Sequence, residues 1–514
     1  MPAKRVLTLL AVLPVTALLT GAIAPVTEVV SAKGNAPSDN AYVSGDGRFV
    51  AFQSFASNLV PGDTNNASDI FVRDRQLGTL TRVNVTARGE QADAGGYEPS
   101  ISADGRFVAF TSNARNLVPG RTAEGLDVYV KDLRTGKLTV ASRTPEGVWA
   151  DNVSYLAQIA ADGRSVVFFS VGSNLVPGDV NGAPDVFSTD LVTGKISLVS
   201  ATADGSPAFG MADRPTVSAD GRHVAFRSNA GNLAPGDGRG RFDVFVKDLK
   251  TGKVTRVSTA ADAERPRISA DGSAVTFSSA AALIPGDTNG FADIYVKDLA
   301  GGELVRASVT ADGKQGDELA YRSALSSDGR YVVFESKAAN LTPGDTNKDF
   351  DVFVKDLRTG TLTRLGAGAG PAISGDGRSV TFDGDGHVFH TRLPKPGADP
   401  FANTVTATSN VLVLNGKHAL GAPDGRHATV IGLLNSRFIL DLGDDEEGVG
   451  DLKIHGSCLG SAQLDFLDAK GKYVGSGQLS PKTSVVRHAG APYRYIRFNL
   501  GLLQTLSLDS VQAS

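Results

Sequence analysis

The string SADGRFVAF at Ser102–Phe110 has six close relatives along this chain, and that repetition constrains the fold more than any other feature. SGDGRFVAF begins at Ser44, AADGRSVVF at Ala160, SADGRHVAF at Ser218, SADGSAVTF at Ser269, SSDGRYVVF at Ser326 and SGDGRSVTF at Ser374. The Asp-Gly pairs at Asp46, Asp104, Asp162, Asp220, Asp271, Asp328 and Asp376 are separated by 58, 58, 58, 51, 57 and 48 residues. A period of that size means one supersecondary unit per repeat, stacked on its neighbours.

Each unit reads as four antiparallel strands. An apolar stretch meets Asp-Gly, whose residues are expected to supply the positive φ angles of a two-residue hairpin, and a second apolar stretch such as Phe107–Phe110 follows. Beyond NLVPG comes DVYVKDL at Asp127–Leu133, then a turn with Gly136, then LTVASR. The inner strands are apolar on both faces, as when a sheet lies between two others. Radial stacking of seven such blades satisfies this and leaves only short edges. The last copy, Pro371–Leu393, has three strands, while PVTEVVSAKG at Pro25–Gly34 reads like the outermost strand LVRASVTADG at Leu304–Gly313. Residues 25–31 are therefore expected to complete the seventh blade and close the ring.

The closure depends on how the N-terminus is processed. MPAKR, an apolar run from Val6 to Leu19 and small residues around Ala22–Ala24 have the layout of a secretory signal peptide over residues 1–24. Cleavage after Ala22 or Ala24 would leave the closing strand intact, whereas cleavage after Ala32 would remove it. No later apolar run approaches membrane-spanning length, so no membrane span and a secreted, extracellular or cell-envelope location are expected. Cys458 is the only cysteine, so packing rather than an intramolecular disulfide must stabilise the chain. The formal charge of −4 becomes −6 without Lys4 and Arg5, and no long basic run occurs, which argues against nucleic acid. Nothing calls for an oligomer, and a monomer is expected.

SxDGRxVAFxS followed by DVFVKDLxTGKLTRVS resembles the TolB-type, WD-like propeller repeats of many exported bacterial proteins, over residues 25–393. The resemblance implies an all-β, seven-bladed propeller. It leaves function open, because that family includes periplasmic scaffolds that bind proteins, peptidase domains and some polysaccharide lyases.

Short hairpins place the Asp-Gly and Thr-Gly turns on one face, so the long loops share the other, and ligand binding is expected there. The longest connectors carry Tyr97, Trp149, Tyr155, Phe209, Met211 and Tyr321, aromatics suited to a protein or glycan partner unless each merely plugs its own loop. Six residues before each Asp-Gly aspartate stand Asn40, Glu98, Leu156, Arg214, Arg265, Arg322 and Gly370, expected around the mouth of the central channel. Three consecutive arginines there suit a carboxylate or phosphate. The competing expectation is that Asp213, Glu264, Asp317 or Glu318 neutralises them.

Oxygen-bearing residues alternate in the loops after the second strand: Asp63, Asn65 and Asp69, then Asp179, Asn181 and Asp185, then Asp287, Asn289 and Asp293, and most densely Asp345, Asn347, Asp349 and Asp351. Such alternation suggests calcium, although Pro-Gly-Asp with Asn is also common turn chemistry. The aspartate of each KDL (Asp132, Asp248, Asp298, Asp356) is expected to hold a hairpin turn.

PKPGADP breaks the repeat, so residues 394–402 read as a linker. Short alternating runs over 403–514 predict a second β-sandwich. ALGAPDGRHA at Ala419–Ala428, the later LDLG, the YIRF strand and the terminal LDSV resemble galactose-binding-like, discoidin-type jelly rolls. That resemblance implies a structural calcium at Asp424 and Asp509. No GxSxG, HExxH, CxxC or phosphate-loop string occurs, and the seven histidines are scattered. Structural calcium is thus the only candidate cofactor. An exported, non-catalytic binding propeller recognising a protein or cell-envelope ligand is the leading expectation, and a polysaccharide lyase or glycoside hydrolase at the channel mouth is the alternative.

Overall fold

A computed structural model describes residues 26–31, 34–121, 125–235, 240–258 and 262–393 of the chain and, beyond these, strands between Val405 and Ala513. Residues 25–393 form one compact unit. It contains seven four-stranded antiparallel sheets. In blade 1 the strands run from the inside outward as A (Ser38–Val43), B (Phe49–Ser54), C (Asp69–Asp74) and D (Thr79–Arg82). Five further blades repeat this order, and the seventh takes strands A (Ala369–Ile373), B (Ser379–Gly384) and C (His387–Arg392) from the end of the repeat region. Its strand D is Val26–Val29, paired antiparallel with strand C so that Val26 faces Arg392 and Val29 faces Phe389. The expected closure by the first strand is therefore the observed one.

The core lies between sheets. Ile70 and Val72 of blade 1 pack with Val108, Phe110 and Tyr129 of blade 2, and equivalent clusters join the blades that follow. At the centre of each blade, one ring from strand B stacks on one from strand C, as in Phe52–Phe71, Phe226–Phe245 and Phe334–Phe353, with centroids 5.6–5.9 Å apart. The double-sided apolar strands of the sequence are these.

The Asp-Gly turns differ from the two-residue hairpin expected of them. Only the glycine has positive φ (77° at Gly47), and Ser44 to Arg48 separate the two strands. Aspartate acts through its carboxylate instead: Asp46 Oδ1 accepts from Ser44 Oγ at 2.7 Å and from the Arg48 amide at 2.9 Å. The widened turns also link the blades. Gly45 N donates to Ala103 O, Ala103 N to Ala161 O, Asp162 N to Ala219 O, Ala219 N to Ala270 O, Asp271 N to Ser327 O, Ser327 N to Gly375 O and Asp376 N to Gly45 O. Backbone hydrogen bonds thus run head to tail around the whole channel.

The KDL aspartates Asp132, Asp248 and Asp356, and Asp74 at the same place in blade 1, hold their turns and take an arginine as well, while Asp298 accepts the Ala300 amide. Asp74, Asp132 and Asp248 receive Arg48, Arg106 and Arg222 in two-pronged pairs of 2.6–3.1 Å, and Asp132 Oδ1 also accepts the Arg134 amide. The guanidinium holds all three carboxyls below the usual range, Asp74 at about 2. Their contribution is complete above the unfolded carboxylate value near pH ~4 and is lost as pH falls through the folded values. Urea midpoints should therefore drop between pH 4 and 2, and the drop should be shallower in an Arg48→Met, Arg106→Met, Arg222→Met triple variant. Parallel pH profiles for the two proteins would contradict this account.

Strands between Val405 and Ala513 pair into two five-stranded antiparallel sheets, within a second compact unit.

Candidate functional site

The residue six before each Asp-Gly aspartate has an unusual backbone. Asn40, Glu98, Leu156, Arg214, Arg265 and Gly370 all have φ between 51° and 62°, and pairing of strands A and B shifts register there. A repeated β-bulge thus re-aims these side chains at the channel mouth, at the entry end of strand A. Left-handed backbone is strained for leucine, arginine or glutamate, so the surrounding blades must hold it. At four of the six they do so through acceptors from the preceding blade: Asn40 N donates to Asp383 at 3.0 Å, Glu98 N to Gln53 at 3.1 Å, Leu156 N to Glu98 at 3.1 Å and Gly370 N to Glu335 at 2.6 Å. Arg322 shares the register shift but is absent from the left-handed set.

The acids expected to neutralise the three arginines are engaged elsewhere. Asp213 takes both prongs of Arg227, at 2.8 and 2.6 Å. Glu264 accepts from Arg227 at 3.2 Å and from the Tyr321 hydroxyl at 2.6 Å. Glu318 Oε2 accepts the Leu319 amide, and Asp317 Oδ1 accepts the Asn340 amide. Arg214 and Arg265 make no hydrogen bond or ion pair among the described residues, and Arg322 comes only within 3.9 Å of Glu335. The Nε atoms of all three are buried without a partner. Arg265 lies 4.7 Å over the Tyr321 ring. Burial and the nearby charge of Arg265 push Arg214 below the ordinary guanidinium value.

Acids are interspersed with these arginines, within their electrostatic reach. Burial raises Glu98, Glu335 and Asp39 above the usual carboxyl values and pushes Asp383 up to about 7. Arg322 Nη1 reaches over Gly370 towards Asp383: a Cβ on Gly370 would lie 3.4 Å from the first and 2.8 Å from the second. Deeper in the channel, Tyr42 Oη receives Gln158 Nε2 at 3.1 Å and Arg267 Nη2 at 2.7 Å, joining blades 1, 3 and 5. The mouth is therefore a polar bowl with a tyrosine-centred floor.

Other candidates lie elsewhere. Tyr155 stands edge-on to Phe169 at 4.7 Å, within the electrostatic reach of Glu98 and Arg214. Tyr97 folds back on its own loop, where its hydroxyl lies against Gly95 and leaves no room for a Cβ. Trp149 lies between Arg121 and Arg143, each 5.2 Å from its ring, and so braces its own loop rather than the mouth. Phe209 is exposed. The four long connectors are themselves pinched by isolated bridges, Arg143 with Trp149 among them.

In blade 6 the acids expected to hold calcium meet an arginine. Arg364 Nη2 sits 2.8 Å from Asp351 and 3.5 Å from Asp345, so a guanidinium fills the place of the cation. Asn347 Oδ1 accepts the Asp349 amide in a local turn. Among the described residues no cluster of three or more His, Cys, Asp or Glu side chains gathers around a metal-sized space. Asp424 lies outside the described residues, and Asp509 belongs to strand Gln504–Ala513.

Fold and mouth together define a class: a seven-bladed propeller closed by its own first strand, with arginines whose Nε atoms lack a hydrogen-bond partner at one end of the channel. No family model and no curated protein matches the chain. Among solved structures, similar ones include an oligogalacturonate lyase from Vibrio parahaemolyticus, 14% identical over 72% of this chain and 98% of that one, TM-score 0.46. TolB from Acinetobacter baumannii is 16% identical over 68% and 81%, TM-score 0.35. The β-propeller domain of the Trilobed protease from Pyrococcus furiosus, described as having an open velcro topology, is 13% identical over 70% and 93%, TM-score 0.45.

Proposed function

We propose that this chain is an exported binding propeller that captures a carboxylate- or phosphate-bearing ligand, on a protein or a cell-envelope glycan, at its channel mouth. One observation carries the reading: Arg214, Arg265 and Arg322 keep buried Nε atoms without a hydrogen-bond partner while Asp213 and Glu264 are committed to Arg227 and Tyr321. Buried donors without acceptors are costly, and an anion with several oxygens would satisfy them together. The signal-like N-terminus supports export, and the sequence between Ala419 and Val511 supports a galactose-binding-like sandwich as the second domain. Among the described residues no helix is long and apolar enough to cross a membrane.

The test is capture from culture supernatant on immobilised protein, with elution by salt. Removing one charged hydrogen bond between arginine and anion should cost about 1.5–3 kcal/mol, so Arg214→Ala with Arg265→Ala should weaken capture by about a hundredfold or more. Equal capture by both proteins would reject the site.

Asp383 favours a second reading. Near 7 and facing Arg322, it could exchange a proton at neutral pH, as a polysaccharide lyase or glycoside hydrolase requires. Release of reducing ends or unsaturated products from acidic polysaccharides, lost in Asp383→Asn, would favour catalysis over capture.

A further inference from the structure

We propose that blade 3 holds a divalent cation, with calcium the best fit, between Asp179, Asp185 and the Gly178 carbonyl. The sister blades of the same chain show what these oxygens ordinarily surround.

In blade 1, Arg82 of strand D bridges two acids, 3.1 Å from Asp69 and 3.5 Å from Asp63, and donates to the Gly62 carbonyl at 3.2 Å. Blade 5 repeats this: Arg306 lies 3.1 Å from Asp293 and 3.2 Å from Asp287 and donates to Gly286 O at 3.2 Å. Arg364 bridges the same two acid positions in blade 6. Blade 2 has exchanged the charges: Arg121 stands where blade 1 has Asp63, Val140 stands where it has Arg82, and Arg121 pairs with Asp127 at 2.5 Å. In all four, buried carboxylate meets a guanidinium.

Blade 3 keeps both acids and has lost the cation. Leu198 occupies the arginine position, and Pro207 replaces the glutamines, Gln91 and Gln315, that help to satisfy blades 1 and 5. Asp185 is fully buried and receives only neutral donors, Ser200 Oγ at 2.6 Å and Asn181 Nδ2 at 2.7 Å. Asp179 is 8% exposed, and its carboxylate has no hydrogen bond or ion pair among the described residues. By their place in the repeat, the two carboxylates and the Gly178 carbonyl correspond to the three oxygens that blades 1 and 5 wrap around a positive group. Two carboxylates buried together without a counter-charge are strongly disfavoured. Hard anionic oxygens on a Pro-Gly-Asp loop suit calcium, which tolerates irregular geometry and fills its shell with water.

The experiment uses the full chain freed of metal with a chelator and titrated with calcium chloride alone, read by thermal unfolding and calorimetry. Saturating calcium should raise Tm by about 3–8 °C. The rise should vanish in Asp179→Asn, which preserves shape, and in Leu198→Arg, which restores the sister-blade cation and should leave Tm independent of calcium. Asp345→Asn in blade 6 should respond as the unmodified chain does. A chain whose Tm ignores calcium overturns the proposal. So does a response that survives in both Asp179→Asn and Leu198→Arg, which would place calcium elsewhere, as at Asp424 and Asp509.

Discussion

A chain beginning at Gly34 is expected to be about 4–6 kcal/mol less stable than one beginning at Pro25, and to self-associate. The truncation removes strand D of blade 7. With it go the ladder to strand C, the Val30 amide bond to Val388 O at 2.8 Å and the Val388 amide bond to Ser31 Oγ at 3.0 Å. Val30, 5% exposed, leaves the cluster it shares with Phe52 and Phe71. Net hydrogen bonds are worth about 1 kcal/mol each and burial of a valine about 1.5–3 kcal/mol, which together give that range. Whole domains are stable by only about 5–15 kcal/mol, so the ring would be near its limit. Strand C would then present bare N–H and C=O groups to other molecules. Urea unfolding and gel filtration measure both effects. Coincident midpoints with an unchanged elution volume would show that the first strand does not lock the ring.

Phe334→Ala should cost about 3–5 kcal/mol, the usual range for emptying a fully buried aromatic site. Its ring is completely buried, stacks on Phe353 at 5.6 Å and packs with Ile294 and Val296 of blade 5, so the cavity opens between two sheets that cannot both move in. Phe389→Ala is the informative comparison. That ring stacks on Phe382 at 5.5 Å but is only half-buried, on strand C of a blade whose outer strand comes from the other end of the repeat region. Its loss should therefore cost clearly less. Equal shifts in urea midpoint would mean that the seventh blade is packed as tightly as the others.

Blade number, strand order and the N-terminal closure were legible because they follow from local patterns: Asp-Gly at a fixed period, double-sided apolar runs, and a PVTEVVSAKG segment that reads as a missing fourth strand. The turn chemistry was only half legible. Asp46 and its counterparts act through carboxylate hydrogen bonds rather than by left-handed backbone, a distinction the letters D and G do not carry. At the mouth, the spacing located Arg214 and Arg265 but not the bulge that re-aims them. Asn40 and Gly370, residues at ease with positive φ, were the available signal. Glu335, Asp383 and Arg227 were missed because they come from strand B, and only the register shift brings them beside strand A of the next or the same blade. The competition of Arg227 for Asp213 could not be read from sequence distance. The arginine between the blade 6 acids was hidden for the same reason, since Arg364 lies on a different strand from the acids it bridges.

Pairing of Val26 with Arg392 has a mechanical meaning. The chain enters and leaves this ring at the same end of one antiparallel pair. Tension applied through residues before 26 and after 393 would therefore load the ladder bonds one after another, as in a zipper, instead of shearing them all at once. The lock that resists heat and urea cooperatively would peel under a pull. The remaining six blades would stay joined through their turn-to-turn hydrogen bonds, while the seventh opened first.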